Sequence, residues 1–425
     1  MVGVEFIDYI KKFEVVEYVG VEDFADKLSF LYSVGVLILS TVIISTKQYF
    51  SSSIACYIPT TPSGSDFEKY LENYCWVHGT IPLLSNEDMP QNDSAWKMVD
   101  ENLRINYYQW VPFMLGLQTL LFYTPRLIWQ LICHNRTGTD LQNLISTACK
   151  ADGESKAGRA GLVNHVATSI ELMLYQHREY RCNKRAKFQS KAAAKNCGIF
   201  VPSKRLGTWL ICSYLVVKFL YLINAVGQVF LMQRFLGFEN SISSFGLTVI
   251  EKMIQGHDWQ KSRYFPRISY CYVENIRQLG ATNQYVSQCV LPINMLNEKL
   301  YIFLWFWTVL ISIFTGISIP IWIYRLSMFD SKKGFIKKFL LLKKVTINED
   351  KIDHFITSFL RHDGVFLMRM IASNAGDIVS ADIVEALYNI HESNYADVDF
   401  NYKPDEVKKG QGKVKLDDGG SASKV

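Results

Sequence analysis

Residues 107–133, with the sequence YYQWVPFMLGLQTLLFYTPRLIWQLIC, decide the fold of this chain. The stretch carries no charge between Gln109 and Arg126, and about 20 apolar residues suffice for a helix to cross a hydrocarbon core roughly 30 Å thick. Aromatic rings at both ends suit the two membrane–water interfaces. Pro112 and Pro125 each remove a helical hydrogen bond, so packed neighbours must satisfy the freed carbonyls. The stretch predicts a membrane-spanning helix inside a bundle.

Three further stretches have the same character. Residues 28–46 and 300–324 carry no charge, and residues 209–232 carry only Lys218. The whole chain is 49 % apolar, 14 % aromatic and 20 % charged, which suits a protein divided between lipid and water. Four spans put both termini on the same side of the membrane. We therefore predict an all-α membrane protein with four transmembrane helices.

The distribution of Lys and Arg orients these spans. The loops 47–106 and 233–299 carry 4 and 7 of these residues, whereas the loop 134–208 carries 13 and residues 325–344 carry a further 7. Cytoplasmic loops hold the excess of positive charge, so the middle loop and both termini are predicted to be cytoplasmic. The predicted parts outside the membrane are an amino-terminal segment (1–27), two extracellular loops with minor β-structure (47–106 and 233–299), a cytoplasmic loop (134–208), a cytoplasmic helical domain (325–392) and a disordered tail (393–425).

Nine cysteines agree with this orientation, because each predicted extracellular loop holds one pair. The pairs are Cys56/Cys75 and Cys271/Cys289, and in an oxidising compartment these four can form two disulfides in three connectivities. Cys56 and Cys289 lie near the ends of spans, whereas Cys75 and Cys271 lie farther out. Matching depths favour a nested arrangement, Cys56 with Cys289 and Cys75 with Cys271.

Lys218 is the one charge deep inside a predicted span. On a helical projection it shares a face with Tyr221, Asn224 and Gln228. Ionisable groups at membrane depth mark substrate sites in transporters. A polar seam between packed helices explains the same face, and it is the interpretation that we favour.

The first span and the segment before it also carry polar groups. Ser33, Ser40, Thr41 and Ser45 suit either tight helix packing or a wet face. The amino-terminal segment holds seven acidic residues against three lysines, and its apolar residues recur at roughly helical spacing. A short amphipathic, acidic helix is predicted there.

Nothing in the sequence predicts catalysis. The 8 histidines are scattered, and there is no glycine-rich phosphate loop or His-Glu-x-x-His motif. We assign a structural role to His257-Asp258-Trp259 rather than an acid/base role. The closely spaced Cys or His ligands of a zinc site are missing from the sequence. We therefore expect no enzyme activity, no metal, no cofactor and no nucleic-acid partner.

Several motifs resemble those of the innexins, the four-span gap-junction proteins of invertebrates. The most specific is Tyr107-Tyr108-Gln109-Trp110-Val111, followed by Pro112. The others are Tyr74-Cys75-Trp76-Val77, His257-Asp258-Trp259, Phe265-Pro266-Arg267, Gln288-Cys289-Val290-Leu291-Pro292-Ile293-Asn294, Asn297-Glu298-Lys299, Phe303-Leu304-Trp305-Phe306-Trp307 and Asp363-Gly364-Val365-Phe366-Leu367. The likeness covers residues 23–388 and includes two cysteines in each outer loop. The chain departs from the family at Cys56-Tyr57 and Cys271-Tyr272-Val273, where the usual motifs are Cys-Trp and Cys-Asp-Phe.

The resemblance implies a ring of subunits, expected to be eight, around a wide pore, with two rings docked end to end between adjacent cells. The ring would contain this chain alone or together with other innexin-type subunits. The first two spans would border the pore, and the amino-terminal segment would fold into its cytoplasmic mouth. Copies of Glu5 and Asp8 would then form rings of carboxylates that favour cations.

Three functions are compatible with this sequence. The one we favour is a gap-junction channel in the plasma membrane that passes ions and small molecules between adjacent cells. The alternative is a non-junctional hemichannel that releases small solutes. The third is a four-span adhesion or scaffold protein without a pore. Dye transfer between paired cells separates the first from the others, and dye uptake by single cells separates the second from the third.

Two short stretches predict further contacts. Residues 332–344 alternate lysine pairs with bulky apolar residues, which suits membrane lipids, calmodulin or simple packing of a helix under the pore. Asn92-Asp93-Ser94 is an N-glycosylation acceptor in the first outer loop. The other match, Asn135-Arg136-Thr137, faces the cytoplasm and should stay unmodified.

Overall fold

The computed structural model describes residues 22–57, 65–83, 89–136, 140–175, 207–237, 264–278, 280–345 and 348–394, with the single residues 246, 249, 251 and 254. Residues 1–21 of the predicted amino-terminal segment, the His257-Asp258-Trp259 motif and residues 395–425 of the predicted tail lie outside the described residues. In chain order the helices are α1 (Phe24–Phe50), α2 (Ser65–His78), α3 (Asp93–Leu103), α4 (Val111–Arg136), α5 (Leu141–Lys150), α6 (Lys156–Tyr175), α7 (Trp209–Phe235), α8 (Pro292–Ser327), α9 (Phe329–Leu342), α10 (Glu349–His354) and α11 (Arg361–Asn394), and the strands are β1 (Ala55–Tyr57), β2 (Ile268–Gln278) and β3 (Ala281–Val290).

Four long helices form the body of the molecule. α1 packs against α4, α4 against α7, α7 against α8, and α8 returns to α1. Three of them, α1, α7 and α8, are long and apolar enough to cross a membrane. α4 has 26 residues and runs between α1 and α7, but it is less apolar because Gln118, Arg126 and His134 interrupt it. The span within residues 107–133 is thus the most polar of the four.

The helices extend beyond the spans that composition predicts. α1 begins at Phe24 rather than residue 28 and ends at Phe50 rather than residue 46. α8 begins at Pro292 instead of residue 300, and Pro292 suits the first helical position because its missing N–H has no helical acceptor there. A run of apolar residues ends at the first charge, whereas backbone hydrogen bonds continue through good helix formers such as Lys47 and Glu298.

The second span differs at its start. Residues Tyr107–Gln109 form a 3₁₀ turn, and the α-helix begins at Val111. Pro112 therefore lies in the first turn, where no helical hydrogen bond is lost. Only Pro125 lies inside the helix, so the expectation that both prolines remove a bond is wrong for Pro112.

An outer cap stands at one end of the bundle, and it consists of α2, α3 and the strands β1 to β3. The strands form an antiparallel sheet in the order β1-β3-β2. β2 and β3 make a hairpin that runs from the Ile268↔Val290 pair to the Gln278↔Ala281 pair. Val290 lies two residues before α8 begins, so this end of the hairpin adjoins the bundle, and at about 3.3 Å per residue the strands are roughly 30 Å long.

A cytoplasmic domain stands at the opposite end. The predicted domain of residues 325–392 corresponds to α9, α10 and α11, and the structure adds two helices from the middle loop, α5 and α6. Buried residues from both parts share one core, among them Leu141, Ile145 and Ile170 with Phe366 and Leu387. The loop predicted as 134–208 is thus partly a component of this domain, because the apolar faces of α5 and α6 are covered by α11.

Two glycines of the cytoplasmic domain, Gly364 and Gly376, have different structural roles. Gly376 has φ 80° and breaks α11 into two helices, since a left-handed φ is unfavourable for other residues. Gly364 lies inside the first of these helices. A Cβ there would lie 3.1 Å from Leu360 and 3.2 Å from Leu174, so its role is to let α6 approach closely.

Candidate functional site

Two disulfides join the outer loops within the cap. Cys56 on β1 is bonded to Cys289 on β3, and Cys75 on α2 is bonded to Cys271 on β2. The bonded residues are 233 and 196 positions apart in sequence. This is the nested pairing that matching depths favour. Both bonds attach a part of the first loop to the hairpin of the second, so the cap is a single cross-linked unit.

The same sulfurs provide a test for metal binding. Sulfur atoms of Cys56, Cys75 and Cys289 lie within 4.8 Å of one another. All three belong to the disulfides. A cysteine binds a metal ion as its thiolate, so this cluster is not a metal site while the disulfides are intact.

The Tyr107 motif connects the cap to the bundle. The Tyr107 hydroxyl donates to the backbone oxygen of Tyr264 in the second loop at 2.7 Å. The Tyr108 ring is buried, and its centroid lies 4.9 Å from that of Trp76. The Gln109 amide donates to the backbone oxygen of Val77 at 3.2 Å and to that of Trp76.

These contacts explain why the motif combines rings with an amide. Carbonyls at the carboxyl end of α2 lack helical partners, and Gln109 supplies donors to two of them. Val111 is buried, whereas Trp110 is 58 % exposed on the monomer. The motif thus fixes both outer loops onto the start of α4, and only Trp110 is left to face a neighbour or lipid.

A second junction joins the cap to α8. The Arg267 guanidinium pairs with the Glu298 carboxylate at 3.1 Å, and Glu298 is 1 % exposed. The Asn294 amide donates to the Pro266 carbonyl at 3.1 Å, and the Leu291 amide donates to the Arg267 carbonyl at 2.9 Å. The Phe265-Pro266-Arg267 and Asn297-Glu298-Lys299 motifs are therefore two halves of one contact.

The helix α3 covers one face of the sheet. Trp96 lies against Tyr270 and Tyr272 of β2, with ring centroids 6.1 and 6.2 Å apart. Asn92 is the residue before α3, is exposed, and makes no side-chain hydrogen bond to the helix. Its neighbour Asp93 lies beside Gln284 on the hairpin, 2.9 and 2.6 Å from the Gln284 amide nitrogen in its hydrogen-bonded orientation. Asn92 is thus near the outer half of the cap, whereas the Asn135 side chain lies outside the described residues.

A buried ionic cluster lies at the cytoplasmic end of the bundle, and we call it the clamp: Asp23, Asp26, Lys218 and Ser318. Lys218 on α7 is fully buried, and its Nζ lies 2.5 Å from Asp23 Oδ2 and 3.0 Å from Asp26 Oδ1. It also donates to Ser318 Oγ on α8 at 2.8 Å. The polar face of α7 is therefore a seam between helices, as favoured from the sequence, and Tyr221 and Gln228 on that face are buried as well.

Two small polar residues of α1, Ser33 and Ser40, lie seven positions apart and therefore share one side of the helix. Ser33 and Ser40 are buried, and each hydroxyl donates to a carbonyl of its own helix at 2.9 and 2.7 Å. Ser33 Oγ also accepts from the Trp307 indole at 3.2 Å. For these two residues, helix packing rather than a wet face is the correct interpretation.

Asp363 connects the cytoplasmic domain to α7. Its carboxylate accepts from the backbone amides of Leu210 and Ile211 at 3.3 and 3.2 Å, which are in the first turn of α7. Its own amide donates to the Gly207 carbonyl at 2.8 Å. A carboxylate at a helix amino terminus satisfies orphan donors and complements the helix dipole. Burial raises the pKa of Asp363 to about 6, against the lowering effect of these hydrogen bonds.

The predicted lipid or calmodulin segment forms α9 and its end. Ile336, Phe339 and Leu340 are buried in the core of the cytoplasmic domain. Four of its lysines pair with acidic residues of that domain: Lys333 with Asp353, Lys337 with Glu349, Lys338 with Asp377 and Lys343 with Asp382. In this structure the segment is a packed helix, the third of the three interpretations.

Glu5 and Asp8, the selectivity residues predicted from the sequence, lie outside the described residues. The contacts of two other residues leave no local pattern in the sequence. The partners of Lys218 were not identified, although a buried lysine requires nearby carboxylates and Asp23 and Asp26 flank a span on the same predicted side. Asp363 carried no signal beyond its motif, since a cap supplied from 153 residues away leaves no local pattern.

Comparisons with known proteins agree with this arrangement. A family model described as Innexin matches residues 22–391. The chain is 34 % identical over 378 residues to Innexin unc-9 of Caenorhabditis elegans, which covers 88 % of this chain and 92 % of that protein. It is 31 % identical over 395 residues to Innexin-11 of the same nematode, covering 90 % and 82 %, and 32 % identical over 396 residues to Innexin-3, covering 93 % and 89 %.

Proposed function

The chain belongs to the innexin family and is a multi-pass subunit of a gap-junction channel, and from this premise we propose how its parts divide the work. Eight copies, of this chain alone or mixed with other innexin-type subunits, form a ring in the plasma membrane. The ring docks through its outer caps onto a ring of the adjacent cell. Ions and small molecules then pass between the two cells. The observation that carries the proposal is the doubly cross-linked cap mounted on α4 and α8.

The cap is suited to docking because the disulfides constrain the position of its hairpin. The hairpin of β2 and β3 is roughly 30 Å long, and one of its ends adjoins the start of α8. The disulfides fix its lower half to β1 and α2, and Trp96 supports one face. Two rigid rings can meet face to face without ordering new segments, which is an entropic advantage in association. We propose that the turn between Gln278 and Ala281 makes the contact.

Docking is tested by cell pairs that express disulfide variants. We expect Cys75→Ser combined with Cys271→Ser to abolish dye transfer between cells, because α2 then loses its attachment to the hairpin. Cys149→Ser is the matched control, since Cys149 lies on the cytoplasmic helix α5 and belongs to neither disulfide. Surface biotinylation verifies that each variant reaches the plasma membrane. Undiminished dye transfer in the double variant would exclude the cap as the docking surface.

The amino-terminal segment supplies the proposed selectivity. Copies of Glu5 and Asp8 brought together at the cytoplasmic mouth raise the local cation concentration. We expect Glu5→Gln with Asp8→Asn to reduce the cation preference without affecting assembly. Reversal potentials under a salt gradient measure this change. An unchanged potential would mean that both residues face away from the ion path.

A non-junctional hemichannel is the second candidate, and Asn92 is the observation that favours it. Asn92 is exposed, its side chain makes no capping hydrogen bond, and it lies beside the hairpin through Asp93. A bulky glycan there would separate two opposing rings. We propose that the docking form carries Asn92 unmodified or with its glycan directed sideways.

The Asn92 alternative has a direct test. A mass shift after glycosidase treatment reports whether the acceptor is used. Coupling between cell pairs is then compared for the wild type and Asn92→Gln. If the wild type is glycosylated and only Asn92→Gln couples, the normal state is a hemichannel. Dye uptake by single cells verifies that the ring still has an open pore.

We propose further that residues 332–344 contact membrane lipids or calmodulin. The apolar side of α9 is buried and four lysines are paired, so calmodulin must first displace the helix from its domain. Leu341 and Leu342 are exposed at its end and are suited to touch the inner leaflet. Calcium-dependent pull-down of the full protein, with liposome flotation as the second arm, distinguishes these two partners.

A further inference from the structure

The clamp connects three helices at one point. Asp23 precedes α1, Asp26 is in its first turn, Lys218 is on α7, and Ser318 is on α8. Besides Lys218, Asp23 Oδ2 accepts from Ser318 Oγ at 2.7 Å and from the Trp322 indole at 2.6 Å. One carboxylate oxygen therefore holds donors from both α7 and α8.

The other oxygens of the two aspartates hold the end of α1 itself. Asp23 Oδ1 accepts from the Asp26 amide at 2.9 Å, and Asp26 Oδ2 accepts from the Asp23 amide at 3.3 Å. This reciprocal capping box fixes the residue at which the helix begins. Asp26 Oδ2 also accepts from the Tyr214 hydroxyl of α7 at 2.7 Å. The same two side chains thus define where α1 starts and attach that start to its neighbours.

The burial of the clamp makes this attachment specific. Lys218 and Asp26 have no exposed side-chain surface. A charge in a region of low dielectric is stable only when it is paired and hydrogen-bonded. The side chains therefore cannot exchange their partners for water, and a displacement of α1 along its axis would leave the Lys218 ammonium without its carboxylates.

We propose that Lys218 is a positioning residue for the pore mouth: it fixes the cytoplasmic end of α1, the helix that borders the pore in the proposed function. The inference deepens the proposed function, since it rests on α1 bordering the pore. A bland alternative is that the clamp only stabilises the fold. The two are separated by measuring the position and mobility of the end of α1 in rings that have assembled normally.

Two exposed side chains of α1 provide matched label sites. Phe24 at the clamped end is 66 % exposed and Tyr49 at the outer end is 65 % exposed. Each is replaced by Cys and spin-labelled in purified rings, in a background with Cys149, Cys182 and Cys197 replaced by Ser. Each label is compared with the same label in the unaltered clamp, so that neighbouring subunits affect both measurements equally.

The clamp is then altered mildly and severely. Trp322→Phe removes the indole N–H that donates to Asp23 but keeps an aromatic ring. Trp305→Phe on the same helix is the control, because the Trp305 indole N–H has no hydrogen-bond partner among the described residues. Lys218→Met removes the central charge. If Lys218→Met does not assemble, Trp322→Phe still tests the proposal.

We expect the label at residue 24 to gain mobility in Trp322→Phe and more strongly in Lys218→Met, while the label at residue 49 is unchanged and Trp305→Phe has no effect. Single-hemichannel conductance should change several-fold in Lys218→Met and less in Trp322→Phe. Identical spectra at residue 24 would overturn the proposal, and so would a mobile residue 24 with unchanged conductance. The spectra do not require an open pore, so failure of the proposed function would appear separately, as rings with the expected spectra and no conductance.

Discussion

The two ends of the bundle are held together by different chemistry. The outer cap relies on two disulfides and stacked aromatic rings, and the cytoplasmic end relies on buried charges and hydrogen bonds. The redox state of each compartment explains part of the difference, because disulfides persist outside the cell and thiols stay reduced inside. Function explains the rest. A docking face benefits from permanent bonds, whereas the cytoplasmic end holds its helices by ion pairs and hydrogen bonds.

The largest test of this comparison is removal of the central charge of the clamp. We expect Lys218→Met to lower the free energy of unfolding by about 3–5 kcal/mol, because the fully buried Asp26 and the partly buried Asp23 lose their only lysine partner among the described residues. Thermal unfolding in detergent, followed by tryptophan fluorescence, measures the loss. The triple variant Lys218→Met, Asp23→Asn and Asp26→Asn removes all three charges together and should lose less. A triple variant weaker than the single one would show that capping by the aspartates outweighs charge pairing.

Breaking the covalent end should have a smaller effect that stays local. Cys75→Ser with Cys271→Ser should cost about 2–4 kcal/mol, since one long loop is no longer closed. Hydrogen exchange should rise in α2 and β2 and remain unchanged in α11. Cys149→Ser again serves as the control. Faster exchange in α11 would contradict the independence of the two ends.

The stability of the cytoplasmic end should depend on pH through two neighbouring residues of α11, His362 and Asp363. Burial raises the pKa of Asp363 from 3.8 to about 6. The native state therefore binds more protons than the unfolded chain between these values, and the contribution of Asp363 to stability falls as the pH rises from about 4 to about 6. Burial and the nearby Lys332 charge lower the pKa of His362 from 6.5 to about 4. Its contribution rises with pH over nearly the same range, so the two effects oppose each other.

Single variants should separate the two opposing pH dependences of stability. Relative to the wild type, Asp363→Asn should gain stability as the pH rises from 4 to 6, and His362→Gln should lose it, each by about 2 kcal/mol. Differences between each variant and the wild type cancel other titrating groups. Stability measured at four pH values verifies the signs. Parallel profiles for all three proteins would mean that neither residue titrates in this range.

The smallest effect is expected at the surface of the cytoplasmic domain. Lys351 pairs with Glu392 at 2.6 Å, and both side chains are about half exposed. Exposed ion pairs are screened by water and salt. Lys351→Met should therefore leave the unfolding temperature unchanged within error. A clear decrease in the unfolding temperature would show that the carboxyl end of α11 depends on this pair.

The features that could be predicted from the sequence are those with a repeated pattern along the chain and those that depend on the side of the membrane. Four apolar runs, a positive-inside bias and one cysteine pair in each outer loop sufficed for the bundle and the cap. The Tyr107 motif located the junction between them. Its contacts with Trp76, Val77 and Tyr264 are long-range, so the motif could be recognised but its mechanism could not.

The cytoplasmic end was harder to predict because its contacts join distant parts of the chain. Lys218 was an obvious anomaly, but nothing local identified Asp23 and Asp26 as its partners. The helices α5 and α6 look like ordinary loop helices, and only their burial against α11 makes them part of a domain. Helix ends were displaced for a simpler reason, since hydrogen bonding along α1 and α8 continues past the first charged residue.

The clamp also has a consequence for biosynthesis. Asp23 and Lys218 are 195 positions apart in sequence, so at about 5–20 residues per second a ribosome needs about 10–40 s to make the partner of the first helix. During that interval the two aspartates lack their lysine, and α1 has no ionic contact to hold its depth in the bilayer. α1 therefore reaches its final register only after α7 and α8 have been translated. Arrested chains that end before α7 and chains that continue well past α8 should differ in the cross-linking of Phe24 to lipid.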